Sequence, residues 1–300
     1  MKALQKTAIS AAAVALLTGL TSVAAFAEEA AAPEVSPITA NVTVVNDYRY
    51  RGLTQSNFKP AIQGGFDYAH ESGFYVGNWN SSISWLSDGY SAPGNTTRNA
   101  SVSAPLEMDF YAGFKKELIA EGFATDVGVL QYYYPTQGLP GMKMSGSSAS
   151  NTAYFSTNGV RQAVGVSPNT TELYAAQNFT FGPATGFVKF SYAVTPLFGI
   201  YNSVGSFYPD FTGNYDTGIA GITLNAHAGY QYVANNAPGY NFSYTDWKLG
   251  LTKDFGGGLS GAIAYVGTNA KTYAGSPVYA TPQNSNAGKA GGLISLTKAF

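Results

Sequence analysis

Leu106-Glu107-Met108-Asp109-Phe110-Tyr111-Ala112-Gly113-Phe114-Lys115 decides the reading of this chain. Its even positions, Leu106, Met108, Phe110, Ala112 and Phe114, are apolar, while its odd positions carry Glu107, Asp109, Tyr111, Gly113 and Lys115. Alternation with a period of two marks a strand with one apolar and one polar face. The pattern returns further along. Val188, Phe190, Tyr192 and Val194 oppose Lys189, Ser191 and Thr195, and Trp247, Leu249 and Leu251 oppose Asp246, Lys248, Gly250 and Thr252. Ile222, Leu224, Ala226, Ala228 and Tyr230 oppose Thr223, Asn225, His227, Gly229 and Gln231.

Working outward from these segments predicts about twelve strands, over 40–52, 60–70, 74–85, 103–118, 123–135, 170–181, 187–198, 210–218, 222–233, 243–255, 259–270 and 287–300. The strand at 210–218 is the weakest, interrupted by Gly213 and Gly218. The gaps alternate between short, as at Glu71-Ser72-Gly73 and Gly256-Gly257-Gly258, and long, as at residues 136–169. Tight turns at one end and long loops at the other are the plan of a bacterial outer-membrane barrel. Phe74, Phe123, Phe181, Phe187, Phe255 and Phe300 sit beside short turns or at the terminus, whereas Tyr50, Trp85, Tyr132, Tyr133, Tyr134, Tyr201 and Tyr232 sit toward the long loops. Two aromatic bands are what the two interfaces of a bilayer select. The fold class expected is all-β: a transmembrane antiparallel up-and-down β-barrel.

Composition agrees. Charged residues make up 11% of the 300 residues, against about 25% in water-soluble chains. After residue 27 no stretch reaches the roughly 18 uncharged apolar residues a membrane helix requires. Lys2 and Lys6, the apolar run over 8–20 and Ala25-Phe26-Ala27 read as a cleaved export signal. The domains expected are a signal at 1–27, a flexible lead-in at 28–39 and a barrel over 40–300. Removing residues 1–27 takes the formal charge from −1 to −3, which argues against nucleic acid as a partner. The chain has no cysteine, so disulfide and thiol chemistry are excluded.

Three stretches near the front carry a family likeness. They are Asn46-Asp47-Tyr48-Arg49-Tyr50-Arg51-Gly52-Leu53-Thr54-Gln55-Ser56, Pro60-Ala61-Ile62-Gln63-Gly64-Gly65-Phe66-Asp67-Tyr68 and Ser72-Gly73-Phe74-Tyr75-Val76-Gly77-Asn78-Trp79. Together with Glu107-Met108-Asp109-Phe110-Tyr111 and Tyr132-Tyr133-Tyr134-Pro135, they resemble the proteobacterial TorF family of porin-like proteins, a conserved hypothetical (Gcw_chp) group. Asn46 and Leu53-Thr54 depart from the Ser and Ile-Ser expected there. The resemblance implies an outer-membrane barrel and supplies no substrate or catalytic residue.

Arg or Lys facing lipid at mid-depth costs about 2–4 kcal/mol, so charged positions are expected to face inward. Asp47, Arg49 and Arg51 share one parity, with Tyr48 and Tyr50 on the other. By the same argument Asp67, Glu107, Asp109, Lys115, Asp126, Glu172, Lys189, Asp246 and Lys248 point into the barrel. Two readings stay open for this set: a constriction or solute-binding ladder, or a salt-bridge network that stiffens the barrel. Gly113, Gly128 and Gly229 on the inner face would widen the interior, while Gly64 and Gly77 fall on the outer parity. The 136–169 loop either folds inward to narrow a pore or stays outside.

Catalysis is weakly signalled. His70 and His227 are the only histidines, and no serine or aspartate motif beside them matches a known triad order. Neither sits in a spaced metal-ligand cluster. No cofactor is expected. Taken together, the sequence predicts a non-enzymatic outer-membrane channel for passive diffusion of small polar solutes. The alternatives are a closed structural or surface-binding barrel, or a lipid-modifying enzyme. The partners expected are outer-membrane lipid, small polar solutes and the barrel-assembly machinery, the last reached through a C-terminal strand ending on Phe300.

Overall fold

Alternation in sequence becomes alternation in space. In the computed structural model Glu107 and Asp109 are 2% and 1% exposed, whereas Phe110 and Phe114 on the same strand are 45% and 40% exposed. The structure describes residues 36–91, 102–137, 166–200, 202–236 and 240–300. The predicted signal and its cleavage site, most of the lead-in, Tyr201 and most of the 136–169 loop lie outside the described residues.

Twelve barrel strands follow in chain order: β1 (Ile38–Val45), β2 (Ala61–Ala69), β3 (Phe74–Ser82), β4 (Leu106–Ala120), β5 (Phe123–Tyr133) and β6 (Thr170–Phe181), then β7 (Ala184–Ala193), β8 (Phe207–Asp216), β9 (Ile222–Gln231), β10 (Tyr244–Gly256), β11 (Leu259–Thr268) and β12 (Gly291–Ala299). Each pairs antiparallel with its neighbours in sequence, and β1 pairs with β12 to close the ring. Closure leaves no strand edge, which is the condition for a sheet in hydrocarbon. Its outward side chains, among them Val44, Ile62, Phe66, Leu173, Val188, Leu249, Ile263 and Ile294, form an exposed apolar belt. That is the surface a bilayer solvates. No helix among the described residues is long and apolar enough to cross a membrane.

The closing seam is tied on both sides. Inside, the Thr43 and Thr297 hydroxyls hydrogen-bond at 2.8 Å. Beyond the end of β1, the Asn46 side chain accepts from the Ile294 backbone N–H at 2.8 Å and donates to the Gly292 carbonyl at 3.2 Å. At the short-turn end, Gly122 sits at φ +79°, and an added Cβ would stand 2.6 Å from the Thr180 carbonyl oxygen. Only glycine fits that turn.

Four sequence expectations are corrected. The first strand ends at Val45 rather than running to residue 52; the chain then turns inward. The eighth strand, expected to be weak, is continuous from Phe207 to Asp216. The two aromatic bands are sorted differently: Phe187, Tyr132 and Tyr134 are buried inside. Tyr133 and Tyr232 are exposed at the loop end as expected, joined there by Tyr192, while Phe74, Phe181, Phe255 and Phe300 are exposed at the turn end. Gly77, placed on the outer parity, faces inward: a Cβ there would meet the Tyr111 ring and the Asp67 carboxylate at 2.4 and 2.5 Å.

The inward glycines therefore do not widen the interior. Tyrosines from neighbouring strands lie over them: Tyr111 over Gly77, Tyr75 over Gly113, Tyr174 over Gly128 and Tyr208 over Gly229. Each missing side chain is the seat of a ring, the cross-strand device that secures glycine in a sheet. Tyr75, Tyr111 and Tyr174 join Tyr48, Trp79, Leu130, Tyr132 and Tyr134 in a buried core within the barrel. A second core packs at the loop end from Leu197, Ile200, Val233, Phe242, Tyr244, Val278 and Tyr279.

Candidate functional site

The segment between β1 and β2 folds into the barrel mouth. Arg49–Tyr50 and Leu53–Thr54 pair as a small hairpin. Its two central residues, Arg51 and Gly52, both have positive φ, 46° and 75°, as a type I′ turn requires. Gly52 lies so close to Thr268 and Asp246 that an added Cβ would stand 2.5 and 2.8 Å from their side chains.

Both arginines serve this hairpin. Arg49 donates to Asp47 and to the carbonyls of Gly52 at 2.8 Å and Lys289 at 3.1 Å. Asp47 also accepts from the Thr54 hydroxyl at 2.5 Å. Arg51 reaches across the interior to Glu172 at 2.7 Å and Gln231 at 2.6 Å. It stacks on the Tyr208 and Tyr50 rings, 4.2 and 4.9 Å from their centroids. The expected parity of this stretch therefore fails. Tyr48 and Tyr50 turn inward as well, donating to Glu107 at 2.5 Å and meeting the Tyr132 hydroxyl at 2.5 Å. Phe198, in the short 3₁₀ turn Leu197–Gly199, packs edge-on against Tyr50 and Tyr132.

The remaining charged candidates fall into two sectors. On β2 to β6 lie Asp67, Glu107, Asp109, Lys115, Asp126 and Glu172. Tyrosine hydroxyls, rather than cations, satisfy most of the carboxylates. Glu107 accepts from Tyr48 and from Tyr134 at 2.8 Å, Asp126 from Tyr75 at 2.6 Å, and Asp67 from Tyr111. Lys115 lies in register opposite Asp126, and its Nζ has no hydrogen-bond partner among the described residues. One oxygen each of Asp67, Asp109, Asp126 and Glu172 is also buried without a partner.

The second sector, β7 to β12 with β1, supplies most of the wall of a cavity of about 100 Å³, which the hairpin, Gln63 of β2 and Tyr132 of β5 complete. Lys189, Asp210, His227, Asp246 and Lys248 form its charged wall below Arg51. Its opposite wall is small and uncharged: Val45, Ala262, Ala264, Leu293 and Ser295. Of the sequence-predicted residues, Asp47, Arg49, Arg51, Lys189, Asp246 and Lys248 meet here, and Glu172 joins through Arg51.

The model of the Gcw_chp family, described as bacterial proteins of unknown function, matches residues 27–300. The chain belongs to this family. No curated protein matches it. Among solved structures, this Gcw_chp chain is similar to the KdgM porin at 6% identity and a TM-score of 0.48, with 88% of this chain and 98% of that chain covered. The NanC porin aligns over the same shares at 8% identity and a TM-score of 0.46. OccD1 (OprD) aligns at 11% identity and 0.38, covering 89% and 66%.

Two members of the Gcw_chp chain's charged wall went unread in the sequence. Asp210 sits on β8, the strand judged weakest, yet it shares parity with Tyr208 and Thr212, and that parity was the available signal. His227 lies on the polar parity of β9, which placed it inward but gave no sign of its two carboxylate partners. Its Nδ1 faces Asp210 at 3.1 Å and its Nε2 faces Asp246 at 2.8 Å. A carboxylate only accepts, so both nitrogens act as donors. Thr212 Oγ1 lies 3.0 Å from Nδ1, a contact that superficially resembles a nucleophile beside its base. A ring whose two nitrogens are committed as donors has no lone pair with which to take the hydroxyl proton.

Proposed function

We propose that this chain is a bacterial outer-membrane channel of the TorF type, passing small polar solutes by passive diffusion along an off-axis path. The cavity carries this reading. It lies between the charged wall of β7 to β10 and the small side chains of β11, β12 and β1, in a barrel whose other half is filled by tyrosine. The apolar belt, the export signal read in the sequence and the likeness of residues 46–79 to the TorF family support the same location. The inward hairpin, rather than the 136–169 loop, is the narrowing element proposed for the path. The charged residues of the cavity are its constriction. The channel reading assigns His227 no catalytic role, because both of its ring nitrogens donate to carboxylates.

A planar-bilayer recording tests the proposal. The refolded protein should give discrete ohmic steps, and Ala264→Phe should reduce them severalfold by filling the small-residue wall. A barrel that inserts and stays silent fits instead the second reading, a closed structural barrel. The full engagement of Arg49 and Arg51 and the seated hairpin favour that reading.

Phe300 is proposed as part of the signal read by the assembly machinery. It ends a strand whose outward residues are Ile294 and Leu296, with Lys298 curling back to the Gly257 carbonyl near the turn end. Deleting Phe300 should lower the amount of protein inserted in the membrane, measured by fractionation. Wild-type levels would remove the residue from that role.

A further inference from the structure

The lipid-facing belt has a hollow over β8 to β11. Gly213 of β8, Ala226 of β9 and Leu249 of β10 stand outward in one register row. The first two are too short to fill their share of the belt. They form the floor of an open groove of about 840 Å³, walled by Phe211 and Tyr215 on β8, Leu251 on β10 and Tyr265 on β11. The next row toward the short turns is Tyr215, Leu224 and Leu251, and the row after it places Lys253 opposite Ile222. Lys253 shares its parity with Leu249 and Leu251, so an outward cation stands at the turn end of the groove. Charge at this end of the barrel is sorted. The carboxylates of Glu117, Asp216 and Asp254 accept from the backbone N–H groups of Gly122, Gly218 and Gly256 in their own turns, at 2.9, 2.9 and 2.8 Å. Among the described residues none of the three forms an ion pair with a lysine. Lys253 donates to the Ala220 carbonyl and lies 5.9 Å from the centroid of the exposed Phe255 ring. One carbonyl occupies one of the three ammonium donors, and an outward aromatic at a strand end sits at the bilayer interface. A cation at the interface above an apolar groove is complementary to a phosphate that carries an acyl chain.

We infer that the groove is a site for one phospholipid of the periplasmic leaflet, with its phosphate on Lys253 and an acyl chain along Gly213 and Ala226. The leaflet follows from the short turns, which are periplasmic in barrels of this plan. An engineered cavity of roughly 150 Å³ holds benzene, so about 840 Å³ accommodates an acyl chain. The site rests on the membrane location in the proposed function, but not on conduction.

Native mass spectrometry tests the site. Detergent-folded protein titrated with palmitoyl-oleoyl phosphatidylglycerol should retain one lipid saturably. Ala226→Phe, which fills the floor, should weaken retention about tenfold, the equivalent of roughly two buried methylenes. Lys253→Gln should weaken it about fivefold, the worth of one lysine near an anionic lipid surface. Lys116→Gln removes an exposed lysine from β4, across the ring from β10, and should leave retention unchanged. Heat-modifiable gel migration verifies that each variant is folded, and if Ala226→Phe does not fold, the comparison of Lys253→Gln with Lys116→Gln decides. Undiminished retention by a folded Ala226→Phe, equal losses in the two lysine variants, or no saturable retention by the wild type overturns the site. A dimer peak that lipid does not displace overturns it too, by giving the groove to a second copy. Lipid retained by a barrel that is silent in bilayers keeps the site and overturns the channel.

Discussion

The two halves of this barrel use one architecture to opposite ends. From β2 to β6 inward glycines seat tyrosines of neighbouring strands, and phenol hydroxyls rather than ion pairs satisfy Asp67, Glu107 and Asp126. From β11 through β12 to β1 the inward positions include Ala262, Ala264, Ser295 and Thr43, side chains too short to cross the interior. The antiparallel ladders run unbroken through both halves except for register shifts beside the short turns, at Glu117/Ala120 and Asp254/Gly256, so the difference lies in side chains. A twelve-stranded barrel lies between those that enclose only side chains, near eight strands, and those with an aqueous lumen, at 16–18. Here the choice is made sector by sector.

The largest effect should come from emptying the filled half. Trp79, 2% exposed, packs edge-on to Tyr48 at 5.5 Å. Trp79→Ala should cost about 3–5 kcal/mol, read as a fall in the temperature at which the folded gel band disappears. Conductance should change little, and a large rise in conductance would show that the tyrosine half also bounds the path. Arg51→Ala tests the join between the halves. Leaving Glu172, 1% exposed, without its ion-pair partner should cost about 3–5 kcal/mol. The hairpin should loosen and single-channel noise should rise. Quiet traces with unchanged melting would mean that the arginine holds nothing in place. Glu107→Gln is expected to be milder, about 1–3 kcal/mol for one phenol left without its acceptor, and an unchanged melting temperature would remove the Tyr48–Glu107–Tyr134 clamp from the stability of that half. Smallest in stability is Ala264→Phe, which should leave melting nearly unchanged while reducing current.

Most of the architecture was legible because a barrel writes its two faces into every strand. Residues 106–115 show why: Glu107, Asp109 and Tyr111 could face only one way without placing charge in lipid. The misreading over 46–52 has an equally physical cause. Asp47, Arg49 and Arg51 keep the alternation of a strand after the strand has ended, because the inward hairpin is itself a pair of short strands. Gly52 was the available clue, as the residue suited to a turn with positive φ. The tyrosine–glycine pairs could not be read at all. Glycine looks like empty space until register is known, and register decides whether Tyr111 lies over Gly77 or beside it. Asp210 was missed for a related reason, since glycines at 213 and 218 made its strand look broken.

The cavity wall also carries a consequence for biogenesis. Val45 comes from the first barrel strand and Leu293 and Ser295 from the last, so the enclosure is finished only when those two strands pair. A product truncated before Gly291 would lack one wall of the cavity and would expose two strand edges.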